Sequence, residues 1–181
     1  MNKSKIRNKI IKLRKNNTNK NFKISLEKFF SFLKTSKLNS KNLGGYYPSN
    51  FEIDDLEILE LLEKKDYEIS LPIIKKNNHM DFFKWSNNNP LKINKYGIPE
   101  PISSKIFYPD ILLVPLVGYD NRLNRLGYGG GFYDRYIEKI EKIKKVIKIG
   151  LAFSCQKLNS VPINQHDKKL DYIVTEKEIL K

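Results

Sequence analysis

A short, nearly all-apolar run in the second half of the chain does most to limit the possible folds. Residues 110–115 read DILLVP, and a loop sequence containing glycine follows them. A run of this length and composition is typical of a strand buried on both faces, which occurs in parallel sheets covered by helices. The run is too short to cross a bilayer, which takes about 20 apolar residues.

Helical and strand patterns alternate along the rest of the chain. Apolar residues at helical spacing predict helices over 1–15, 23–37, 54–65 and 132–144. In the first of these the predicted apolar stripe is Ile6, Ile10 and Leu13. Strands are predicted over 44–48, 68–74, 79–85, 110–115, 146–153 and, as the last one, 172–175. Polar sequence predicts a break over 15–21 and a long surface loop over 86–105.

This alternation of elements predicts the fold class. Helices between short apolar strands indicate an α/β fold with a largely parallel sheet flanked by helices. A length of 181 residues fits a single domain, residues 1–181. Ligands of such sheets bind at the carboxyl ends of the strands, so we expect the site near the loop after Pro115.

The composition is strongly basic but does not by itself identify a ligand. The net charge is +14 and 12% of the residues are aromatic, so a nucleic-acid-binding protein is one alternative. Basic residues are spread along the whole chain, which favours compositional drift combined with anionic small-molecule substrates. The single cysteine, Cys155, excludes an internal disulfide framework. No apolar stretch follows the N-terminal basic residues, so we expect a cytoplasmic protein.

A cluster of glycines is the most informative segment for function. Residues 125–135 read RLGYGGGFYDR, between a predicted strand and a predicted helix. Glycine lets backbone N–H groups approach an anion, and the N-terminus of the next helix favours a phosphate. Neither the Walker pattern nor the G-x-G-x-x-G pattern fits, since no lysine follows the glycines and position 132 is Phe. The alternative is a flexible turn without a ligand.

The residues around this cluster resemble the 5-formyltetrahydrofolate cyclo-ligase family. Its RLG-x-G-x-G-x-YD core is carried here by Arg125 to Asp134, within a similar stretch that begins at Pro109. Nearly the whole chain is covered, through Lys3-x-x-Ile6-Arg7, Tyr46 to Glu52, Leu71-Pro72, His79 to Phe82 and His166-Asp167-x-x-Leu170-Asp171. Leu116 and Leu123 stand where the family often has glycine, and Phe132 replaces a frequent tyrosine.

The resemblance implies a fold, a reaction and its partners. The fold is a Rossmann-like open sheet. The reaction is ATP- and Mg²⁺-dependent cyclisation of 5-formyltetrahydrofolate to 5,10-methenyltetrahydrofolate with release of ADP and phosphate. ATP would phosphorylate the formyl oxygen, and the folate nitrogen N10 would then attack. The expected partners are 5-formyltetrahydrofolate and ATP, without nucleic acid or membrane, and the expected state is a monomer.

The resemblance also implies roles for particular residues. Those expected to bind ATP are Lys3, Ser4, Lys5, Ile6, Arg7, Arg125, Leu126, Gly127, Tyr128, Gly129, Gly130, Gly131, Phe132 and Tyr133. Those expected to bind the folate are Tyr47, Glu52, Tyr128, Gly129, Gly130, Gly131 and Phe132. The expected catalytic residues are Arg125, Tyr128 and Asp134, and the expected Mg²⁺ ligands are Asp134 and Asp171.

Each role has a structural alternative. Lys3 and Arg7 could lie on a solvated helix face, and Asp134 could cap the helix after the glycines. Asp171 could be an ordinary turn residue, and Glu52 could interact with a helix dipole. An ATP-using ligase with the same fold and another substrate is a further alternative.

Overall fold

The helices lie where the apolar spacing predicts them. The computed structural model describes residues 2–17 and 23–181. Its helices are α1 (Lys3–Asn17), α2 (Leu26–Thr35), α3 (Leu56–Glu63) and α4 (Phe132–Glu141). The helix α1 extends through Asn17, so the predicted break starts later than expected, and most of the rest of it lies outside the described residues. In the described part of the chain, no helix is long and apolar enough to cross a membrane.

The strands are more numerous than predicted. They are β1 (Asn42–Gly44), β2 (Glu68–Ile74), β3 (Met80–Trp85), β4 (Leu91–Ile93), β5 (Pro99–Pro101), β6 (Ile106–Phe107), β7 (Ile111–Pro115), β8 (Gly118–Tyr119), β9 (Arg125–Leu126), β10 (Ile147–Leu151), β11 (Tyr172–Val174) and β12 (Ile179–Leu180). The predicted loop over 86–105 is wrong in part, because β4 and β5 pair there as an antiparallel hairpin. The prediction that 172–175 is the last strand is also wrong, since β12 pairs with β11.

The main sheet confirms a mixed α/β fold with a largely parallel sheet. Its 8 strands have the order β12-β11-β10-β7-β1-β2-β3-β6. The strands β2, β1, β7, β10 and β11 are parallel, and the outer strands β3, β6 and β12 are antiparallel to their neighbours. The parallel strands therefore have the doubly wound order 2-1-3-4-5. The order reverses between β1 and β7, and sheets of this kind bind their ligands at the carboxyl ends of the strands at such a point.

The apolar run that forms β7 is buried on both faces, as predicted. Ile111 and Leu113 pack on the side covered by α2 and α3. Leu112 and Val114 pack on the other side, against α4. Because every side chain of this strand from 111 to 114 meets a covered face, the sequence shows no polar alternation there.

The helix α1 lies beyond the carboxyl end of β7 instead of on a face of the sheet. Ile6 and Ile10 pack against Val117, Leu126 and Val161. The prediction that Leu13 is the third member of this stripe is wrong, because Leu13 is 41% exposed. Arg14 is buried in its place, one helical step beyond Ile10.

Candidate functional site

The candidate site lies at the carboxyl ends of β1 and β7. The segment 45–55 leaves the carboxyl end of β1, and the segment 116–131 leaves the carboxyl end of β7. The second segment contains the β8–β9 hairpin and the glycine loop, which we define as residues 127–131. These segments and α1 bring most of the predicted site residues to one end of the sheet.

The glycine loop uses backbone conformations that favour glycine. Gly129 has φ of 102° and Gly131, the residue before α4, has φ of 65°. A Cβ atom at Gly129 would lie 3.3 Å from Cζ of Arg7. Leu123, at a position where glycine is frequent in the resembling family, also has a positive φ of 64°. The loop therefore requires glycine where its backbone has positive φ and lies close to the guanidinium of Arg7.

Asp134 does not cap α4, the helix in whose first turn it lies. No side chain caps the N-terminus of α4, and Asp134 lies within its first turn. Its Oδ1 accepts a hydrogen bond from the Arg125 guanidinium at 2.6 Å and another from the backbone N–H of Lys168 at 3.0 Å. The N–H groups of the first turn thus remain available to an anion in the glycine loop.

Two cations of α1 have partners in the segments around the candidate site, and one of them contacts the glycine loop. Arg7 donates from Nε to the carbonyl oxygen of Gly127 at 2.7 Å. The ammonium of Lys3 lies 2.5 Å from Oδ2 of Asp167. The alternative of a solvated face for these residues is therefore wrong. Ser4 and Lys5 are exposed and Ile6 is buried in the core, so these neighbours do not share the contacts of Arg7.

Glu52 lies in contact with the tip of the glycine loop. Its carboxylate accepts hydrogen bonds from the backbone N–H of Ser49 at 2.7 Å and from the Ser49 hydroxyl at 3.2 Å, and the hydroxyl of Tyr128 is close enough to influence its pKa. Burial raises the pKa of Glu52, and these hydrogen bonds oppose that shift only in part. Burial and the nearby Glu52 charge also raise the pKa of Tyr128. Segments that follow different strands are therefore joined through one carboxyl–phenol pair.

Arg14 is a site residue that the sequence argument missed. One amino group donates to the carbonyl oxygen of Leu116 at 3.2 Å, and the other donates to the Asn50 carbonyl and to the Tyr128 hydroxyl. The guanidinium thus connects the segment after β1 with the segment after β7. Its position was detectable, because it continues the i, i+4 series from Ile6 through Ile10.

Several buried polar atoms of the site have no protein partner in the described residues. They are Nε of Arg14, Oδ1 of Asp55, Nε of Arg125 and the hydroxyl of Tyr133. Asp55 is fully buried, and its other oxygen accepts from the backbone N–H of Tyr46 at 3.1 Å. Burial raises the pKa of Asp55 well above its usual range. Unsatisfied buried groups are costly, so these four atoms are candidates for contacts with a ligand.

The predicted partner of Asp134 lies elsewhere. Asp171 precedes β11 at the amino end of the parallel strands, where its Oδ2 accepts from the backbone N–H of Lys148 at 2.7 Å. Within the described chain, Asp134 and Asp171 have no hydrogen-bond partner in common. The structure therefore does not bring this pair together. Asp167 was not among the predicted metal ligands. It directly precedes Lys168, whose backbone N–H donates a hydrogen bond to Asp134.

The remaining predicted residues have peripheral places. Tyr47 is half-buried after β1, beside the buried Tyr46. Arg135 turns away from the loop interior and donates to the carbonyl oxygens of Gly130 and Asn78. It therefore supports the glycine loop through the carbonyl oxygen of Gly130.

A model of the 5-formyltetrahydrofolate cyclo-ligase family matches residues 1–176. This chain belongs to that family. A 5-formyltetrahydrofolate cyclo-ligase of Haemophilus influenzae is 33% identical over 138 residues, which are 72% of this chain and 73% of the relative. An Escherichia coli cyclo-ligase is 29% identical over 135 residues, 71% of this chain and 74% of the relative.

Solved structures of the family share the fold. The 5,10-methenyltetrahydrofolate synthetase of Aquifex aeolicus aligns with a TM-score of 0.77 and 29% identity, over 100% of this chain and 93% of that one. The synthetase of Mycoplasma pneumoniae aligns with a TM-score of 0.73 and 25% identity, over 98% and 100%. Family membership makes this chain a ligase of folate metabolism that forms a carbon–nitrogen bond.

Proposed function

We propose that this cyclo-ligase converts 5-formyltetrahydrofolate into 5,10-methenyltetrahydrofolate with ATP and Mg²⁺, releasing ADP and phosphate. The observation that carries the proposal is the position of the glycine loop. Arg7 of α1 contacts it on one side, and Glu52 lies beside Tyr128 of the loop on the other. The glycine loop would therefore contact a phosphate site on one side and a site for a hydrogen-bonding ring system on the other.

ATP is assigned to the side of the glycine loop that faces α1. Arg7 and Arg125 supply permanent charge, Lys3 adds an ammonium, and the loop and the start of α4 supply backbone N–H groups. The unpartnered Nε of Arg125 provides a further donor for an anion. Of the other residues expected to bind ATP, Ile6 and Leu126 act as packing that holds α1 on the loop.

The folate is assigned to the side that faces Glu52. The carboxylate of Glu52 is an acceptor for the donor edge of a pterin, and Tyr47 and Tyr128 supply apolar ring faces. Tyr128 is 38% exposed although its hydroxyl is engaged, so its ring can contact a ligand. Gly129 and Gly130 let the loop approach a flat ring closely.

The residues present fit a magnesium ion through Asp134 and Asp167. Mg²⁺ takes one or two carboxylates together with phosphate oxygens and water. Each of these carboxylates already contacts a cation that we assign to phosphate binding, Arg125 and Lys3 respectively. Although burial opposes it, the Lys3 ion pair helps to hold the pKa of Asp167 below its usual range, so this group is ionised at neutral pH. When bound, Mg²⁺ would neutralise charge on the transferring phosphoryl group.

The protein's main contribution to the reaction is positioning. Arg125 and Arg7 orient the terminal phosphate of ATP toward the formyl oxygen, which attacks phosphorus as ADP leaves. Glu52 and Tyr128 hold the pterin so that N10 can reach the activated formyl carbon. Attack by N10 forms the new C–N bond, the phosphate departs with the formyl oxygen, and the N10 proton is lost. Tyr128 contacts both halves of the site, so we assign it the role of aligning them.

Purified protein with 5-formyltetrahydrofolate, ATP and Mg²⁺ tests the proposal. The methenyl product absorbs in the near ultraviolet, and we expect its absorbance to rise only when all three are present. A non-hydrolysable ATP analogue serves as the control and should give no product. Failure of the complete mixture to produce the absorbance would contradict the function and favour a ligase with another substrate.

A further inference from the structure

The connection from β10 to β11 ends in a segment that packs beside α4. Parallel strands are usually joined through an α-helix, but residues 167–170 form neither helix nor strand. We call residues 167–171 the return segment, because it leads from the candidate site back to the amino end of β11. Its Leu170 is buried among the apolar residues of α4 and donates from its backbone N–H to the carbonyl oxygen of Leu123 at 3.1 Å.

Lys168 binds α4 at two levels. Its backbone N–H donates to Oδ1 of Asp134, in the first turn of the helix, at 3.0 Å. Its ammonium donates to Oε2 of Glu141, the last residue of the helix, at 3.3 Å. Positions 134 and 141 lie on one face of α4, about two turns or about 10 Å apart along its axis. The single residue Lys168 therefore holds the return segment to both ends of that face.

Glu141 is itself fixed to the sheet. Its Oε1 accepts from the ammonium of Lys148 at 2.7 Å, and the Lys148 side chain, which extends from β10, is only 13% exposed. Although burial opposes it, the ammonium groups of Lys148 and Lys168 hold the pKa of Glu141 below its usual range. Glu141 is therefore ionised at neutral pH, and it gives Lys168 an anchor that does not move with the solvent-exposed surface.

The residue before Lys168 is one of the two carboxylates that we assign to magnesium. Oδ2 of Asp167 accepts from the ammonium of Lys3 at 2.5 Å and from the backbone N–H of Asn164 at 2.6 Å. Because Asp167 and Lys168 are adjacent in the chain, the hydrogen bond from Lys168 to Asp134 constrains the distance between the two carboxylates. Mg²⁺ requires nearly ideal octahedral geometry, so a displaced return segment would bind it less well.

We propose that Lys168 and Glu141 are positioning residues that hold the return segment against α4 and thereby set the spacing of Asp134 and Asp167 as metal ligands. This inference rests on the proposed function, through the assignment of the metal to these two carboxylates. Groups that orient metal ligands from outside the coordination sphere commonly change metal affinity by about tenfold to a hundredfold.

The test compares the signs of two charge-removing substitutions, Lys168→Met and Glu141→Gln. The measured quantity is the dissociation constant of the nucleotide-free protein for Mn²⁺, which takes the same oxygen ligands as Mg²⁺ and whose free ion gives an electron paramagnetic resonance signal. If only charge mattered, loss of the lysine would strengthen cation binding and loss of the glutamate would weaken it. The positioning role predicts that both substitutions weaken binding, each about tenfold. The double variant should bind no more weakly than either single variant, because both changes break the same contact.

Two further variants serve as controls. Lys168→Arg keeps the charge and the reach of the side chain, so its Mn²⁺ dissociation constant should stay within about twofold of the wild type. Lys142→Met should leave it unchanged, because Lys142 is an exposed lysine at the end of α4 that pairs with Glu138 of the same helix at 3.5 Å. Urea denaturation without metal shows that each variant is folded under the conditions of the titration.

The possible outcomes separate the claims. Unchanged or tighter Mn²⁺ binding by Lys168→Met would overturn the positioning role alone. A wild type that binds Mn²⁺ no better than a variant lacking both Asp134 and Asp167 would overturn the metal assignment and this inference with it. Methenyl product is measured separately. A protein that forms none, but loses Mn²⁺ affinity in both Lys168→Met and Glu141→Gln, would contradict the proposed reaction and support the positioning role.

Discussion

The guanidinium of Arg14 donates a hydrogen bond of 2.5 Å to the hydroxyl of Tyr128, and its Cζ lies 5.7 Å from the centroid of the same ring. The two residues are 114 positions apart, so an N-terminal helix fixes the tip of the glycine loop. Arg14 is 1% exposed, which makes this a buried charge with mostly carbonyl partners. Such an arrangement depends on every partner being present.

Arg14→Ala should lower both stability and folate use. It leaves the carbonyl oxygens of Leu116 and Asn50 without their donor, which costs about 2–4 kcal/mol of unfolding free energy. Urea denaturation measures the loss, and KM for the folate measures the displacement of Tyr128. Lys12→Ala, at an exposed position of the same helix, should change neither quantity. If both variants had the same unfolding free energy and the same folate KM, Arg14 would not be needed to connect the segments after β1 and β7.

Arg125→Ala should impair the use of ATP. A charge-assisted contact to a phosphate contributes about 1.5–3 kcal/mol, so kcat/KM for ATP should fall by about tenfold to a hundredfold. Arg122→Ala is the control, because Arg122 is exposed and its side chain donates only to Ser160 in the described residues. Unchanged ATP kinetics in Arg125→Ala would remove Arg125 from the phosphate site.

Glu52→Gln should weaken folate use far more than ATP use. The substitution keeps the volume but removes the charge and part of the acceptor capacity, so we expect KM for the folate to rise about tenfold. Burial raises the pKa of Glu52, and the wild-type folate KM should therefore increase as falling pH protonates it. The variant should lack this pH dependence. A larger effect on ATP would mean that the two halves of the site are wrongly assigned.

Replacement of single aspartates distinguishes the alternatives for the metal. Asp134→Asn and Asp167→Asn should each raise the Mg²⁺ concentration for half-maximal activity about tenfold or more. Asp171→Asn should leave it unchanged, because Asp171 contacts Lys148 at the amino end of the sheet. A strong metal effect in Asp171→Asn, and none in Asp167→Asn, would restore the pairing predicted from sequence.

Asp55→Asn should flatten the dependence of stability on pH. Because burial raises the pKa of Asp55, the folded state keeps a proton that the unfolded chain releases above about pH 4. Stability is therefore lost as pH rises from there toward the raised pKa. Asparagine still accepts from Tyr46 but does not ionise, so its advantage over the wild type in urea denaturation should grow as pH rises above about 4. If unfolding free energy depended on pH identically in Asp55→Asn and in the exposed control Asp54→Asn, Asp55 would not be protonated in the folded state.

The sequence predicted the parts of the fold that repeat a strong pattern. The run that forms β7 identified a strand covered on both faces, and helical spacing located α2, α3 and α4. It did not predict β4 and β5, because three-residue strands containing Lys, Glu and Pro carry no alternating pattern. Arg14 was missed because Leu13 and Arg14 both fit the helical spacing from Ile10, and the charge of Arg14 argued against its burial.

The candidate site was predictable where residues are close in sequence. The contact of Arg125 with Asp134 spans 9 positions within one loop, and the core motif already contains both residues. Whether Asp167 or Asp171 lies near Asp134 depends on where the chain turns toward β11, and no local sequence pattern predicts that turn. The contact of Lys168 with Glu141 likewise exists only after folding.

The fate of the formyl oxygen tests the central claim most directly. With 5-formyltetrahydrofolate labelled with oxygen-18 in the formyl group, ATP and Mg²⁺, the account predicts that the label appears in the released inorganic phosphate, one atom for each methenyl product. The mass spectrum of the phosphate gives the result. Unlabelled phosphate accompanying full conversion to the methenyl product would contradict phosphorylation of the formyl oxygen at this site.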